Sequence, residues 1–272
     1  MTQQDRPWLS VVIPTYDEAR RIPATLRAID AYARRWNRPV ELIVVDDGSS
    51  DRTVDVVREL GAELSIGLRL LRYSGNRGKG FALKVGFAAS RGELVLFSDA
   101  DLATAFDCSD GLLAELEHAE VAIGSRKMDG ASIQVRQSWL RERMGKAFTF
   151  LVRQLIADVS DVTCGFKAFR GDAGRDLFAR CRIYDWSFDA ELLHIAQVRN
   201  MRVVEVPVVW CDQEGTKVRL VRDSLASLRG LARIRWNALR GVYRQPEAPA
   251  VEPEELPLQL ARRDRPASGT ST

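Results

Sequence analysis

Short apolar runs alternate with helical segments along the first half of the chain, and this alternation limits the possible folds more than any other feature. Runs of strand length occupy residues 9–13, 41–45, 68–71, 94–97 and 121–123, and helical periodicity marks residues 24–36, 51–60 and 80–89 between them. Strands that alternate with helices form right-handed βαβ units around a mostly parallel sheet. The sequence therefore predicts an α/β fold whose binding site lies at the carboxyl ends of the strands.

The strict alternation stops after Arg126, and the second half of the chain has a different pattern. A basic amphipathic stretch at residues 133–157 is followed by a strand at 165–169, a helix at 189–199, a strand at 202–209 and a last helix at about 218–243. From Gln245 onward, five of the ten prolines fall within the final 28 residues. That composition predicts a disordered tail over residues 245–272.

Composition excludes several classes of protein. The net charge of +3, from 40 basic and 37 acidic residues, gives no reason to expect a nucleic-acid partner. No apolar run reaches the ~18 residues of a membrane span, and the N-terminus is polar. The four scattered cysteines and two histidines predict a reduced, cytosolic protein with neither a zinc site nor a Ser-His-Asp triad.

Acidic residues follow three of the predicted strands where each strand ends. The first exit reads Pro14-Thr15-Tyr16-Asp17-Glu18, the second contains Asp46 and Asp47, and the third contains Asp99 and Asp101. Two carboxylates at i and i+2 can reach one hard divalent cation, which in turn bridges the phosphates of a nucleotide. An Asp-x-Asp pair is common in surface loops, but its place after an apolar strand indicates a metal and nucleotide site.

A glycine-rich segment, residues 75–80, precedes the third helical segment. It lacks the spacing of a P-loop, and no dinucleotide fingerprint follows the first strand. Two interpretations of this segment remain. Either Lys79 faces a bound phosphate at a helix N-terminus, or the segment is only the start of a helix.

In order along the chain, these motifs resemble those of glycosyltransferase family 2. They are IPTYDE at 13–18, VDDGSSD at 45–51, NRGKG at 76–80, DADL at 99–102 and GSR at 124–126. Four later motifs are similar to the dolichyl-phosphate β-glucosyltransferase branch: DVTCGFKAFR at 161–170, FDAELL at 188–193, EVPVVW at 205–210 and GTKV at 215–218. Two residues depart from the family pattern. Asp17 replaces the usual asparagine, and Ala103 stands where mannosyl-phosphate-dolichol synthases tend to carry a metal-binding glutamine, which disfavours mannose.

The resemblance implies a GT-A, Rossmann-like fold with a C-terminal amphipathic helix. One catalytic domain would cover residues 1–244, with a nucleotide-sugar half at about 9–126, an acceptor half at about 127–218 and a basic helix at about 218–244. Asp99 and Asp101 would hold Mg²⁺ or Mn²⁺. The residues implied for nucleotide-sugar binding are Pro14, Tyr16, Glu18, Asp46, Asp47, Lys79 and Asp99.

The implied reaction is an inverting transfer of a sugar, glucose from UDP-glucose, to a polyprenyl phosphate. Arginine suits the acceptor phosphate because its planar fork donates two parallel hydrogen bonds. The candidates are Arg126, Arg136, Arg141, Arg143 and Lys217, of which Arg126 and Lys217 lie in motifs. Asp161, Asp189 and Glu191 are expected to position groups, with Asp189, Glu191 and Arg126 counted with Asp99 and Asp101 as catalytic. If the acceptor were a hydroxyl, one of these carboxylates would serve as general base.

Three other functions stay open from the sequence: mannosyl transfer from GDP-mannose, transfer to a soluble hydroxyl acceptor, and an inactive nucleotide-sugar-binding scaffold. A polyprenyl acceptor predicts a peripheral protein at the cytoplasmic face of a membrane, and a homo-oligomer or an integral membrane partner is left open. The last helix carries one apolar face: Val221, Leu225, Leu228, Ala232, Trp236, Leu239 and Tyr243. Arginines one position further on predict an interfacial helix. The alternative is that the apolar face packs on the catalytic domain while the arginines are solvated.

Overall fold

A computed structural model describes residues 6–135, 143, 150, 152–153, 159–185, 187–211 and 220–258. Within them the strands are β1 Leu9–Thr15, β2 Val40–Asp46, β3 Gly67–Arg72, β4 Leu94–Ser98, β5 Val121–Ser125, β6 Ser132–Val135, β7 Phe166–Arg170, β8 Val203–Pro207, β9 Val209–Cys211 and β10 Glu254–Leu256. The helices are α1 Ile22–Ala33, α2 Thr53–Gly61, α3 Lys79–Ala89, α4 Ser109–Glu115, α5 Gly171–Arg180, α6 Phe188–Val198 and α7 Leu220–Leu239.

Eight of these strands form one sheet, in the order β10-β3-β2-β1-β4-β7-β5-β8. β10 is antiparallel to β3, and β7 is antiparallel to both β4 and β5, whereas the other neighbours run parallel. β6 and β9 form a separate parallel pair. The predicted mostly parallel α/β sheet is confirmed.

The strand order brings the acidic strand ends together. β1 lies between β2 and β4, so Thr15 pairs with Asp46 in the register, and β4 ends beside β1. Because β7 is antiparallel, Phe166 at its start pairs with Ser98 at the end of β4. The edge that carries Asp99 therefore receives residues from four neighbouring strands, at the point where the strand order reverses.

Helices cover both faces of the sheet, which explains the continuous apolar runs of the inner strands. Leu9, Val11 and Ile13 of β1 belong to the cluster that includes Leu26 of α1, whereas Val12 belongs to the cluster on the opposite face. This alternation has the period of two that a strand imposes. A rigid, two-sided core thus fixes the strand ends that form the site.

The predicted disordered tail is wrong for residues 245–258. β10 pairs with the edge strand β3, and Arg69 of β3 forms an ion pair with Glu255 at 2.8 Å. Prolines suit an extended segment, and an exposed sheet edge offers it unpaired backbone groups. Residues 259–272 lie outside the described residues.

The secondary structure of two further segments differs from the prediction. The basic stretch 133–157 begins in β6 and lies mostly outside the described residues. The last helix ends at Leu239, and a 3₁₀ turn follows at Val242–Arg244. Among the helices within the described ranges, none combines the length and hydropathy needed to cross a bilayer.

Candidate active site

The loop after β4 carries Asp99 and Asp101 at the carboxyl edge of the sheet. The Asp99 amide donates a hydrogen bond to the Gly165 carbonyl at 3.1 Å, and the Thr25 hydroxyl donates one to the Ala100 carbonyl at 2.6 Å. Thr25 belongs to α1 and is buried, so water does not compete for this bond. The loop is therefore held in place by α1 on one side and by the segment before β7 on the other.

Gly165 lies directly against the Asp99 side chain. A Cβ atom at position 165 would lie 1.9 Å from Asp99 Oδ2 and 2.5 Å from Asp99 Cγ. No side chain fits at position 165 unless Asp99 moves. The glycine is needed here because the backbone approaches a carboxylate closely.

Lys79, the first residue of α3, forms an ion pair with Asp99, with 2.5 Å between Nζ and Oδ1. Burial lowers the pKa of Lys79, but the charges of Asp99, Asp189 and Asp101 outweigh it and raise that pKa above its ordinary value. Burial raises the pKa of Asp101, and the neighbouring Asp99 raises it further. The mutual repulsion of the two carboxylates favours a cation between them.

The residues at this edge fit a divalent cation that also binds a diphosphate. Carboxylate oxygens are the ligands that Mg²⁺ and Mn²⁺ prefer. Asp99 is exposed over 38% of its side chain and is accessible from solvent. Within the described residues, no group of three or more His, Cys, Asp or Glu is arranged to hold a metal. A cation at Asp99 and Asp101 would then take its other ligands from phosphates and water, as Mg²⁺ commonly does.

Asp47 organises the loop that carries Lys79. Its carboxylate accepts hydrogen bonds from the Tyr73 hydroxyl at 2.8 Å and from the amides of Arg77 at 2.7 Å and Gly78 at 2.9 Å. Burial raises the pKa of Asp47, although these hydrogen bonds oppose the shift. Gly78 has a φ of 99°, a conformation that glycine adopts without strain. Asp47 thus fixes the conformation of the loop that precedes Lys79.

Asp46, the last residue of β2, is also buried. It is 0% exposed, accepts the Ser49 amide at 3.2 Å and forms an ion pair with Arg72 at 3.4 Å. The pKa of Asp46 is raised by burial. The structure therefore places Asp46 and Asp47 where they support the loops at the ends of β2 and β3.

Pro14 and Tyr16, at the end of β1, are more exposed to solvent than Asp46 and Asp47. Tyr16 is 38% exposed, and Pro14 is half-buried. Asp17 has a φ of 53°, and its carboxylate accepts the amides of Ser50 at 2.8 Å and Asp51 at 3.2 Å. Asparagine and aspartate both tolerate this backbone conformation and both accept such hydrogen bonds. The replacement of the usual asparagine therefore keeps the turn.

Glu18 pairs with Arg21 through two hydrogen bonds, at 2.6 and 2.7 Å. The pKa of Arg21 is raised, first by its hydrogen bonds to Glu18 and further by the charges of Asp101 and Asp99. The Arg21 guanidinium therefore lies close enough to Asp99 and Asp101 to interact with their charges, which the sequence did not predict.

Arg126 follows β5 and is bound to Asp161 through Nε at 2.7 Å and Nη2 at 2.8 Å. Its guanidinium also lies 5.3 Å from the centroid of the Trp210 ring. Burial alone would raise the pKa of Asp161, but Arg126 outweighs it and holds that pKa below its ordinary value. Asp161 thus orients Arg126.

Asp189, in the first turn of α6, follows Phe188, whose ring centroid lies 5.6 Å from the Lys79 ammonium. Its Oδ1 accepts a hydrogen bond from Lys167 at 2.5 Å, and Lys167 also donates to the Cys164 carbonyl at 2.6 Å. Lys167 is 0% exposed. Lys167 was not predicted as a site residue, although a lysine between Phe166 and Ala168 in an apolar strand is a signal of a buried charge.

The structure does not bring Glu191 to this group of residues. Its side chain is fully buried and accepts the amides of Arg182 at 2.9 Å and Ile183 at 2.8 Å. Burial raises the pKa of Glu191 to about 7. Glu191 lies two residues after Asp189 on α6, so its side chain points about 200° around the helix axis from that of Asp189. The two side chains therefore face different surroundings.

Three of the other acceptor candidates, Arg136, Arg141 and Lys217, lie outside the described residues. Arg143 is exposed.

Comparison with known proteins identifies a family model and named relatives. The model for glycosyl transferase family 2 matches residues 10–178. A dolichyl-phosphate β-glucosyltransferase from Dictyostelium discoideum is 32% identical over 253 residues, which is 88% of this chain and 77% of that protein. The proteins of that name from Saccharomyces cerevisiae and Homo sapiens are each 34% identical, over 87% of this chain and 77% of their own length.

Solved structures share the fold. Mannosyl-3-phosphoglycerate synthase from Rubrobacter xylanophilus superposes with a TM-score of 0.63 at 21% identity, covering 87% of this chain and 76% of that chain. Glucosyl-3-phosphoglycerate synthase from Mycobacterium tuberculosis, in complex with UDP, gives 0.61 at 18% identity, covering 95% and 90%. Another structure of that synthase contains Mn²⁺ and UDP-glucose with phosphoglyceric acid.

Proposed function

Because the chain belongs to glycosyltransferase family 2, we propose that it transfers glucose from UDP-glucose to a polyprenyl phosphate of the dolichyl type, with inversion at C1. The observation that carries this proposal is 32% to 34% identity, over most of the chain, to proteins named dolichyl-phosphate β-glucosyltransferase. Ala103, in place of a glutamine typical of mannosyl enzymes, favours glucose over mannose.

The acceptor phosphate supplies its own nucleophile. A phosphate monoester is largely ionised near neutral pH, so one of its oxygens attacks C1 of the sugar without losing a proton. The C1–O bond to the nucleotide breaks, and UDP leaves with the electron pair. Attack from the opposite face converts the α-linked donor into a β-linked product.

The state of the candidate carboxylates supports an ionised acceptor over a hydroxyl. A general base must be within reach of the acceptor proton and able to accept it. Asp161 holds Arg126, Asp189 accepts a hydrogen bond from Lys167, and Glu191 binds backbone amides away from the site. A phosphate acceptor requires none of them as a base.

Lys79, Asp99 and Asp101 are assigned to the donor diphosphate. Asp99 and Asp101 would hold Mg²⁺ or Mn²⁺, which stabilises the negative charge that the leaving diphosphate gains. Lys79 adds a fixed positive charge beside Asp99. Pro14, Tyr16 and Glu18 at the exit of β1 are assigned to the nucleoside, with Asp46 and Asp47 shaping the surrounding loops.

Arg126 is assigned to the acceptor phosphate. Its planar group is oriented by Asp161 and Trp210, so little side-chain freedom is lost on binding. Arg136, Arg141 and Lys217 are the remaining candidates for the same phosphate.

The proposal includes peripheral binding at the cytoplasmic face of a membrane, since a polyprenyl chain leaves a bilayer only at high cost. Trp236 and Leu239 of α7 are 61% and 82% exposed, whereas Leu231 and Ile234 on the same helix are buried in the core. Of the predicted apolar face, Ala232, Trp236 and Leu239 are therefore exposed, whereas Tyr243 is buried.

Exposed arginines accompany this face, at positions 229, 233 and 240. Apolar side chains with arginines beside them are typical of helices that lie in a membrane interface and bind anionic headgroups. The arrangement supports α7 as the membrane-binding element.

A panel of donors tests the proposal. UDP-glucose, UDP-galactose, GDP-mannose and GDP-glucose are each offered with a short polyprenyl phosphate and Mg²⁺ or Mn²⁺. The highest kcat/KM is expected with UDP-glucose, and a higher value with GDP-mannose would overturn the donor assignment.

A further inference from the structure

Lys167 is a fully buried lysine in the middle of the central sheet. It is 0% exposed on β7, between the buried residues Phe166 and Ala168. Removing an ammonium group from water is costly even when it is paired, and apolar residues commonly replace such pairs without loss of stability. The fold alone therefore does not explain why β7 carries a charge at this position.

The neighbours of Lys167 connect it to the donor site. Its Nζ is 2.5 Å from Asp189 Oδ1 and lies 5.3 Å from the centroid of the Phe97 ring. The Nζ of Lys79 lies 5.5 Å from the centroid of the same ring and 2.5 Å from Asp99. Two ammonium groups thus share one aromatic ring, and a carboxylate accompanies each.

The four charges alternate in sign from the core to the surface: Lys167, Asp189, Lys79 and Asp99. The exposed fraction of the side chains rises along the row, from 0% for Lys167 and 7% for Asp189 to 31% for Lys79 and 38% for Asp99. The ring centroid of Phe188, the residue before Asp189, lies 5.6 Å from the Lys79 ammonium, and the charge of Asp189 acts on both lysines. The Lys79 ammonium therefore lies beside both Asp99 and the first turn of α6, where a fixed Asp189 helps to set its position.

We propose that Lys167 is a positioning residue that fixes Asp189 in the first turn of α6 beside Lys79, so that the Lys79 ammonium is directed at the diphosphate of the donor. The inference rests on the proposed function, because it assigns the Lys79 ammonium to a nucleoside diphosphate. Lys167 itself touches no substrate.

A purely structural ion pair makes a different prediction, and a double variant separates the two. Lys167→Met or Asp189→Asn alone leaves one buried charge without its partner, which destabilises the fold. In Lys167→Met/Asp189→Asn neither charge remains, so the unfolding free energy should return close to that of the wild type. If the pair positions Lys79, UDP affinity should not return with it.

The experiment measures UDP binding by calorimetry in Mg²⁺, together with denaturant unfolding and steady-state kinetics. We expect about tenfold weaker UDP binding in the double variant, with a similar rise in KM for UDP-glucose and a smaller change in kcat. Arg91→Met breaks the ion pair with Glu41 at the opposite end of the sheet and serves as the control. It should affect stability and leave UDP affinity unchanged.

Recovery of both stability and UDP affinity in the double variant would overturn the inference. The assignment of the acceptor is contradicted by a separate result, namely that the wild type binds UDP but transfers no sugar to polyprenyl phosphate. If the wild type binds GDP and not UDP, the proposed donor fails, and the same variants measured with GDP decide the role of Lys167.

Discussion

Replacing Gly165 with alanine should displace Asp99 without directly touching any ligand. The added Cβ would lie 1.9 Å from Asp99 Oδ2. Gly165 is not among the glycines with positive φ, so alanine adopts its backbone conformation and the cost comes from the contact alone. Asp99 must turn away, which separates it from Lys79 and from any cation that it shares with Asp101.

The size of the effect follows from what Asp99 contributes. Removing one group that stabilises transition-state charge typically costs ~10²–10³ in kcat. Because Asp99 is displaced and not deleted in Gly165→Ala, we expect a loss of about tenfold to hundredfold in kcat/KM, equivalent to about 1.4–2.7 kcal/mol. Overpacking should also lower the unfolding free energy by about 1–3 kcal/mol.

Two measurements with a matched control check this prediction. Kinetics with UDP-glucose give kcat/KM, and calorimetry gives the affinity for UDP in Mn²⁺. The control is Gly67→Ala in β3, because a Cβ at that position meets nothing within 4 Å. If Gly165→Ala matches Gly67→Ala within about twofold in both measurements, the placement of Asp99 against Gly165 is incorrect.

Four further predictions follow from the site and from α7. Thr25→Val keeps the shape of the side chain but leaves the buried Ala100 carbonyl without its hydrogen-bond donor. It should lower the unfolding free energy by about 1–3 kcal/mol and weaken Mn²⁺ binding, and Thr25→Ser should restore both. Wild-type Mn²⁺ affinity in the valine variant would contradict this. Asp101→Asn should abolish Mn²⁺-dependent UDP binding with the circular dichroism spectrum unchanged, and unaltered calorimetric binding would refute the metal assignment. The pKa of Glu191 rises from 4.5 to about 7 on folding, so the folded state binds the extra proton and stability falls as pH rises between these values. The unfolding free energy of Glu191→Gln relative to the wild type should therefore rise by up to about 3 kcal/mol across that window, and a pH-independent difference would count against it. Replacing Arg229, Arg233 and Arg240 with glutamate should reduce co-sedimentation with anionic liposomes, at ~1 kcal/mol for each arginine and less at high salt, whereas equal, salt-independent partitioning would exclude α7 as the anchor.

The inner strands and the site edge could be predicted because their signals are local. A strand buried on both faces needs a continuous apolar run, and polar residues such as Asp99 and Asp101 at its end then belong to one edge. The sheet order confirms the predicted strands, and the family match to residues 10–178 confirms the resemblance. The roles of Asp99 and Asp101 at that edge stay predictions.

What could not be predicted depends on contacts between distant parts of the chain. β10 forms because β3 is an open edge, which the proline-rich composition of the tail does not reveal. Lys167 and Asp189 are 22 residues apart in sequence, so only the fold shows that they pair. Glu191 binds the nearby amides at positions 182 and 183, but only the fold shows that the link before α6 turns back towards its side chain.

In the proposed reaction, an ionised phosphate oxygen attacks the sugar without a general base. This is tested by offering UDP-glucose with either a short polyprenyl phosphate or the corresponding polyprenol, followed by NMR of the anomeric carbon in the product. A β-glucosyl phosphate is expected from the polyprenyl phosphate, with no transfer to the alcohol. An α-linked product, or transfer to the polyprenol at a comparable rate, would contradict it.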